Sequence, residues 1–427
     1  MNLEKEDMYQ IDGPLDMTVF FGFCGIKGYN HLRYPEAHPH SPWSMLELKR
    51  TPETNIFDMI REKDLLIHLP YESFDESVVN FLYSAANDKD VLAIKQTLYR
   101  VSSSSPVVQA LEKAVQNGKQ VTVLMEVKAR FDEANNILMA RRLEKAGAHV
   151  IYGLVGLKTH SKCTLVIRRE KDGIRRYVHV ATGNYNASTA KLYTDLGILT
   201  CSDRFGIDAS AFFNLLSGYS DPPIWDSFIV APINLRQRCI ELIDREIHFA
   251  KNGEDAHMIA KMNSLLDKGI IEKLYEASQA GVKIELIVRG ICVLIPGIPG
   301  VSDNITVRSI VGRFLEHSRI FWFRNGGREE LYVSSADWMP RNLNDRVELM
   351  VPIEDPEIKR RLKQMVDIEL SDNQKAHIMQ ADGTWLKTIS AENQLCAQEY
   401  FQKIAEKRDA EDEMTLAQKL EPYTPVL

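Results

Sequence analysis

The sequence predicts an α/β protein with mixed (α+β) sheets, built from two tandem domains related by internal duplication. Three observations support this class. From Asp64 onward, short apolar segments typical of buried strands alternate with amphipathic segments typical of helices. The second half of the chain repeats the order of these segments. The 427 residues suffice for two or three domains, each with its own apolar core.

In the first half, apolar runs predict the strands, and capping residues predict where the helices begin and end. Ser105 and Pro106 form a typical N-cap and N1 pair, and the helix that they begin is expected to end at Asn117-Gly118. Asp132 is expected to cap the next helix, which runs to Gly147. The other predicted elements are a helix at 77–87 and strands at 65–70, 91–99, 121–127, 149–153, 162–169 and 176–182.

The second half predicts the same elements in the same order. Its segments 282–290, 318–324 and 331–338 mirror segments 120–130, 161–169 and 177–185 of the first half. Further strands are expected at 228–232 and 256–262, and helices at 235–251, 268–280 and 392–411. Pro222-Pro223 is the predicted hinge between the halves. Two halves related by a pseudo-twofold axis can build one cleft between them.

Composition and targeting signals exclude several classes of protein. The chain is 44% hydrophobic, so it is not disordered, and its six cysteines show no CxxC or zinc-ligand spacing. Its start does not resemble a signal peptide, and no run approaches the ~18–20 apolar residues of a membrane helix. We therefore expect a soluble cytoplasmic protein. The net charge of −7 argues against a chain that coats nucleic acid.

The charge is unevenly distributed. Residues 128–191 carry 13 Lys and Arg against 5 Asp and Glu, so a local +8 lies in a chain whose remainder sums to −15. Five of these cations flank Asp172-Gly173 and are expected on a solvated hairpin. A basic cleft in an acidic body suits a polyanionic substrate.

Two histidines occupy matching positions of the repeat. His160-Ser-Lys162 and His317-Ser-Arg319 each stand just before a predicted strand. Residues i and i+2 of an extended segment share a face, so each imidazole projects beside a cation. Such an imidazole can attack phosphorus or protonate a leaving oxygen while the cation holds the phosphate oxygens. A lone histidine is more often structural, but two at equivalent positions indicate a catalytic pair.

Three arginines supply further cations at strand ends. Arg100, Arg130 and Arg289 each end a predicted strand, where α/β sheets usually bind ligands. The sequence has neither a Walker A loop nor the glycine-rich loop of protein kinases. Nucleotide chemistry in this chain would therefore use a different kind of site.

Four polar residues are weaker candidates. Asn184 lies in a turn whose backbone N–H groups could bind phosphate. Tyr193 either stacks on a base or packs in the interior. Asp337 and Glu348 are expected to orient the two histidines, since carboxylates commonly hold imidazole rings.

Seven segments of the chain resemble a known family. They are IKQTLYR (94–100), LMEVKARFDE (124–133), GLKTHSK (156–162), HVATGNYN (179–186), KLYTD (191–195), EHSRI (316–320) and YVSSADWM (332–339). Their order and spacing resemble those of the bacterial polyphosphate kinase family, the long-chain type with phospholipase-D-like catalytic domains. The resemblance runs from about Tyr9 to the end of the 370s.

The resemblance implies reversible transfer of the terminal phosphate of ATP to inorganic polyphosphate, with Mg²⁺ accompanying the ATP. His160 matches the phosphorylated nucleophile, and His317 matches a second histidine that acts as acid/base or contacts phosphate. The residues that match ATP-binding or phosphate-binding positions are His317, Tyr193, Arg289, Lys162, Asn184, Arg319, Arg100 and Arg130. The last two match Mg-associated positions and, being cations, are expected to hold phosphate oxygens around the ion.

The resemblance also implies a domain division and a set of partners. The expected segments are a remnant of the head domain at 1–50, the two phospholipase-D-like catalytic domains at 51–221 and 222–375, and a C-terminal helical tail at 376–427. The expected partners are ATP, ADP and polyphosphate, and no nucleic acid; full-length family members are expected to form homo-oligomers and to associate peripherally with membranes. Family members are longer at the N-terminus, so the N-terminal domain and most of the head domain are expected to be missing.

Two alternative functions stay open at this stage. One is a phospholipase-D-like phosphodiesterase, although Ile167 stands where the hydrolase pattern has an Asp five residues after the motif lysine. The other is an inactive polyphosphate-binding fragment that lacks the N-terminal region.

Overall fold

The computed structural model describes most of the chain. The described residues are 8–13, 15–43, 45–46, 54–102, 104–127, 133–154, 156–218 and 224–419, with the backbone alone for 409–419. Arg130, Asp132 and the predicted hinge at Pro222-Pro223 lie outside these residues. The chain forms two units, Met1–His38 and Pro39–Leu427.

The first unit contains two short 3₁₀ helices, Thr18–Gly25 and Asn30–Leu32, whose side chains are exposed. All other elements belong to the second unit. Its strands are β1 Leu65–Leu69, β2 Val91–Leu98, β3 Gln120–Met125, β4 His149–Tyr152, β5 Lys158–Thr159, β6 Cys163–Glu170, β7 Gly173–Ala181, β8 Tyr193–Thr200, β9 Ile229–Ala231, β10 His257–Met262, β11 Lys283–Val288, β12 Ile305–Ile310, β13 Leu315–Glu316, β14 Ile320–Phe323, β15 Glu330–Ser334, β16 Arg346–Pro352, β17 Ala376–Met379 and β18 Trp385–Lys387.

The helices of the second unit stand between these strands. They are α1 Ile56–Glu62, α2 Asn80–Asn87, α3 Pro106–Gln116, α4 Glu133–Ala146, α5 Asp203–Leu216, α6 Leu235–Lys251, α7 Lys268–Gln279, α8 Pro340–Asn344, α9 Pro356–Leu370 and α10 Ala397–Lys419. A π-helical turn, Asp75–Val79, leads directly into α2.

Helix starts follow local capping chemistry. The Ser105 hydroxyl accepts a hydrogen bond from the Val108 N–H at 3.3 Å, and Pro106 begins α3 as predicted. The Asp267 carboxylate caps α7 in the same way, accepting from the Ile270 N–H at 3.1 Å. These caps place each helix at a fixed point after its strand.

The two sheets have the same topology. The first has the order β1-β8-β7-β6-β2-β3-β4, and the second contains β9-β16-β15-β14-β10-β11-β12. In both, the last three strands pair in parallel and the other pairs are antiparallel. The mixed α/β class and the internal duplication that the sequence predicts are therefore confirmed.

Each half of the chain contributes one short strand to the sheet of the other half. β5 belongs to the first half but pairs in parallel with β16, which puts Lys158 opposite Arg346. β13 belongs to the second half but pairs in parallel with β8, which puts Leu315 opposite Tyr193. His160 and His317 follow these two strands immediately, so the exchange carries both histidines to the boundary between the sheets.

The C-terminal part differs from the predicted helical tail. β17 and β18 form a hairpin that extends the second sheet next to β12, and only then does α10 begin at Ala397. Asp382-Gly383 lies in the turn, where Gly383 has a φ of +82° that favours glycine. The sequence expectation missed this turn signal and extended helical character over the strands.

No helix in the part of the chain that the structure describes is both long and apolar enough to cross a membrane.

Candidate active site

A cleft of about 680 Å³ opens where the exchanged strands meet, and both histidines line it. Its walls are rich in positive charge. Two carboxylates of the described residues line it, Asp337 and Asp345. The cationic side chains that line it in the described part of the chain are Arg100, Lys158, Arg289, Arg319, Arg341 and Arg346. A surplus of fixed cations in one concave site attracts polyanions.

His160 is held by a carboxylate from the second half. Its backbone N–H donates to the Val347 carbonyl at 2.9 Å, which extends the pairing of β5 with β16. Its Nδ1 lies 2.9 Å from Oε2 of Glu348. Because the carboxylate accepts a proton from Nδ1, the lone pair of the ring resides on Nε2. The ring packs edge-on against Tyr99, with centroids 4.8 Å apart.

Glu348 is fully buried and is itself fixed by two donors. The Ser335 hydroxyl donates to Oε2 at 2.5 Å, and the Asn342 amide donates to Oε1 at 2.6 Å. Burial raises the pKa of Glu348, and the Lys162 ammonium opposes that rise. The donors therefore orient a carboxylate whose position sets the tautomer and direction of the His160 ring.

Lys162 lies directly beneath His160. Its Nζ donates to the His160 carbonyl and lies 3.1 Å from Nδ1 of the ring. Burial lowers the pKa of Lys162 to about 7, and Glu348 opposes this. Burial, followed by the charge of Lys162, holds the pKa of His160 well below its usual range. His160 is therefore neutral at pH 7, which is the state that a nucleophile requires.

His317 repeats this arrangement from the other side. Its Nδ1 lies 2.8 and 2.9 Å from the two oxygens of Asp195, on β8 of the first half. Its backbone N–H donates to the Thr194 hydroxyl at 3.2 Å. Although burial opposes it, the attraction of His317 lowers the pKa of Asp195. Burial lowers the pKa of His317 itself, and Asp195 opposes that shift.

Arg319 accompanies His317 as Lys162 accompanies His160. Its Nη1 donates to the His317 carbonyl at 2.6 Å and lies 3.2 Å from Nε2 of the ring. Its Nε donates to Asp337 at 3.1 Å. Although burial opposes it, the Arg319 charge lowers the pKa of Asp337 to about 2. His160, His317 and Arg319 therefore line one cleft, whereas Lys162 is buried beside His160 and is not among the lining residues.

The expectation that Asp337 orients a histidine is wrong. Asp337 instead binds Arg319 and accepts from the backbone N–H of Asn263 at 2.8 Å. The carboxylate at His317 is Asp195, which the sequence reasoning missed. The repeat offered a signal: Asp195 stands two residues after the start of β8, as Glu348 does after the start of β16.

Three other predicted residues also line the cleft. Arg289 donates from Nε to the Glu316 carbonyl at 3.1 Å and from Nη2 to the Asn263 side chain at 2.6 Å. The ring of Tyr193 lies beside His317, with centroids 5.1 Å apart. Oδ1 of Asn184 is buried and has no hydrogen-bond partner among the described residues, so it is available to a ligand.

Two family models match this chain. "Polyphosphate kinase C-terminal domain 1" matches residues 55–222, and "Polyphosphate kinase C-terminal domain 2" matches residues 228–398. The chain belongs to the polyphosphate kinase family.

Curated relatives agree with this assignment. The polyphosphate kinase of Halalkalibacterium halodurans is 56% identical over 378 residues, which are 88% of this chain and 53% of the relative. That of Bacillus anthracis is 51% identical over 393 residues, or 92% of this chain and 55% of the relative. The chain thus spans about half the length of the curated relatives that it matches.

A solved structure of a family member has the same fold. The crystal structure of polyphosphate kinase from Porphyromonas gingivalis matches with a TM-score of 0.81 and 38% identity, covering 89% of this chain and 57% of that one. The predicted fold class, mixed α/β with two tandem domains related by internal duplication, is confirmed.

The family resemblance implies Mg²⁺, and the donors of the cleft indicate how it would be held. Among the described residues, no group of three or more His, Cys, Asp or Glu side chains is arranged to hold a metal ion. Mg²⁺ prefers oxygen ligands, whereas this cleft presents mainly cations. The cations of the cleft therefore suit phosphate groups rather than direct ligation of a metal ion.

Proposed function

We propose that this chain carries the catalytic site of a polyphosphate kinase, which transfers the terminal phosphoryl group of ATP reversibly to inorganic polyphosphate through a phosphohistidine at His160. One observation carries the proposal. Two neutral histidines, each fixed by a buried carboxylate from the opposite half, face one cleft lined by six cations. Such a site suits transfer of a phosphoryl group between two polyanions.

In the first step, Nε2 of His160 attacks the terminal phosphorus of ATP. A phosphorus–nitrogen bond forms, the bond from phosphorus to the bridging oxygen breaks, and ADP leaves with that electron pair. The ring gains positive character, which the Glu348 carboxylate at Nδ1 stabilises. In the second step, a terminal oxygen of polyphosphate attacks the phosphorus, the phosphorus–nitrogen bond breaks, and its electron pair returns to Nε2 of neutral His160.

His317 and the surrounding cations act on the transferring group. Once protonated at Nε2, the imidazole of His317 donates that proton to the leaving oxygen or contacts a phosphate oxygen, while Asp195 fixes its orientation. Arg319 lies beside it, and Arg289 and Tyr193 line the same end of the cleft. Guanidinium groups spread their donors over several phosphate oxygens, so they stabilise charge during transfer. If bound with the nucleotide, Mg²⁺ would neutralise part of the phosphate charge that these cations also face.

Labelling with γ-labelled ATP and Mg²⁺ tests this function. We expect an acid-labile, base-stable label on the full chain, and no label on His160→Ala. The matched control is His149→Ala, which removes an exposed histidine and should keep the label. Absence of label on the folded wild-type chain, or label that persists in His160→Ala, would overturn the proposal.

A further inference from the structure

Glu316, the residue before His317, lies at the centre of a buried polar cluster behind the cleft. Lys261 on β10 donates to its Oε2 at 2.6 Å and also donates to Glu369 on α9. The Thr194 hydroxyl on β8 donates to the same Oε2 at 2.9 Å. We call Lys261, Thr194, Glu316, Glu369 and Gln398 the Glu316 cluster, and each of them is at most 4% exposed.

Gln398, in the first turn of α10, makes three hydrogen bonds within this region. Its Nε2 donates to Oε1 of Glu316 at 2.6 Å and to the Phe314 carbonyl at 2.9 Å. Its Oε1 accepts from the Phe314 N–H at 3.0 Å. The Gln398 amide therefore pairs with both the N–H and the carbonyl of Phe314, as the backbone of a neighbouring strand would. It also donates to the carboxylate of Glu316, two residues further along the chain.

The strand that Gln398 holds is short. β13 contains two residues and pairs with β8 at two positions only. His317 directly follows β13, and its ring forms a hydrogen bond with Asp195 on β8. A catalytic group that moves by about 1 Å can lose on the order of 10²-fold in rate, so bonds that fix β13 matter for the imidazole.

The buried Glu316 carboxylate stays ionised because a neighbouring cation and hydrogen-bond donors stabilise its negative charge. Facing it are Lys261 from β10, Glu369 from α9, Tyr71 after β1 and Arg289 after β11. Burial opposes ionisation of Glu316, but the attraction of Lys261 and the Gln398 hydrogen bond lower its pKa. Burial raises the pKa of Glu369 to about 7, and Lys261 opposes this. A second negative charge in place of the Gln398 amide would therefore repel Glu316 strongly.

We propose that Gln398 is a positioning residue for His317: α10 fixes β13 and Glu316 through this amide and so keeps the imidazole against Asp195. The proposal rests on the proposed function. Under this proposal the C-terminal helix α10, although remote in sequence from both histidines, controls the orientation of the His317 ring. Gln398 lies behind β13 and is not part of the lining of the cleft.

Gln398→Glu tests the proposal through pH. When ionised, the new carboxylate faces two hydrogen-bond acceptors, the Glu316 carboxylate and the Phe314 carbonyl. We expect the repulsion between them to displace β13. When protonated, it can again donate one O–H and accept from the Phe314 N–H. We expect transfer to fall about 10- to 100-fold at pH 8 and to recover on acidification toward about pH 6, relative to wild type at each pH. Gln398→Met, which cannot bond at any pH, should lose activity without recovery.

A second readout needs no activity. The ring carbon resonance of His317, assigned with His317→Asn, should move in Gln398→Glu at pH 8 and return at low pH. The matched control is Gln394→Glu, the same exchange at an exposed site four residues earlier, which should behave as wild type. If the wild-type chain takes no label while this resonance responds, the proposed function fails and the positioning role stands.

Two results would overturn the positioning role. One is a Gln398→Glu protein whose transfer rate and His317 ring resonance have the same pH dependence as in wild type. The other is a loss that is equal at every pH and accompanied by a lower unfolding temperature, because that pattern marks a merely structural residue.

Discussion

Each histidine of the cleft obtains its orientation from the opposite half of the chain. Glu348 holds His160 across β16, and Asp195 holds His317 across β8. Both carboxylates accept from Nδ1, so both rings present Nε2 to the substrate. The two halves therefore cannot be separated without disabling both imidazoles.

Glu348→Gln should slow phosphorylation of His160. The neutral amide accepts less strongly and can also donate, so the Nδ1–H tautomer is no longer enforced. We expect a loss of about 10- to 100-fold in the rate of labelling by γ-labelled ATP. Glu357→Gln, the same exchange at an exposed site on α9, is the control. Equal rates for wild type and Glu348→Gln would contradict the orienting role of Glu348.

The sequence identified the two histidines but only one of their carboxylates. His160 and His317 were found because the repeat placed both before a cation and a strand. Asp195 was missed, and Asp337 named instead, because local sequence does not reveal which sheet a two-residue strand joins. β13 pairs with a strand more than 100 residues away, and long-range pairing of this kind leaves no local pattern.

The exchanged strands β5 and β13 are the elements that build the site. Both are two residues long, so neither is stable by its own pairing. The Thr159 N–H after Lys158 donates to Glu126 at 2.9 Å, and the Glu316 cluster secures β13. Buried polar side chains thus replace the backbone pairs that longer strands would make.

Thr194→Val should loosen β13. The hydroxyl donates to Glu316 and accepts from the His317 N–H, and valine keeps the shape while removing both bonds. Leaving a buried N–H without an acceptor costs about 1–3 kcal/mol, so the midpoint of thermal unfolding should fall. Thr122→Val, at a half-buried position of β3, should change stability by about 0.5 kcal/mol or less. Identical unfolding of the Thr194→Val and Thr122→Val proteins would contradict this account.

Elements with strong local signals were predicted well. α3 begins at Pro106 and α6 covers Leu235–Lys251, as the caps and periodicity indicated. The hairpin of β17 and β18 was missed because both strands are short and lie in a polar segment. Its pairing with β12 depends on a tertiary contact, which periodicity alone does not show.

Across the described part of the molecule, four histidines resist protonation, which makes the stability of the protein sensitive to acid. Burial lowers the pKa of His68, His160, His179 and His317, that of His179 to about 3. Unfolded histidine titrates near a pKa of about 6.5. Below that pH the unfolded chain binds protons that the folded chain does not, so the free energy of unfolding falls as the pH falls.

His179→Gln should flatten this dependence. The exchange removes one of the protons taken up on unfolding, so the stability lost between about pH 6.5 and pH 5 should be smaller than in wild type. His149→Gln, at an exposed position, should leave the slope unchanged. Thermal or urea unfolding at several pH values measures both. Parallel curves for wild type and His179→Gln would show that His179 does not resist protonation in the folded state.

The position of the phosphate on the protein distinguishes the roles of the two histidines. After reaction with ATP and Mg²⁺, ³¹P NMR and peptide mapping under basic conditions locate the phosphoryl group. Because Glu348 occupies Nδ1 of His160, we expect phosphate on Nε2 of His160. Phosphate on Nδ1 of His160, or on His317 in place of His160, would contradict it.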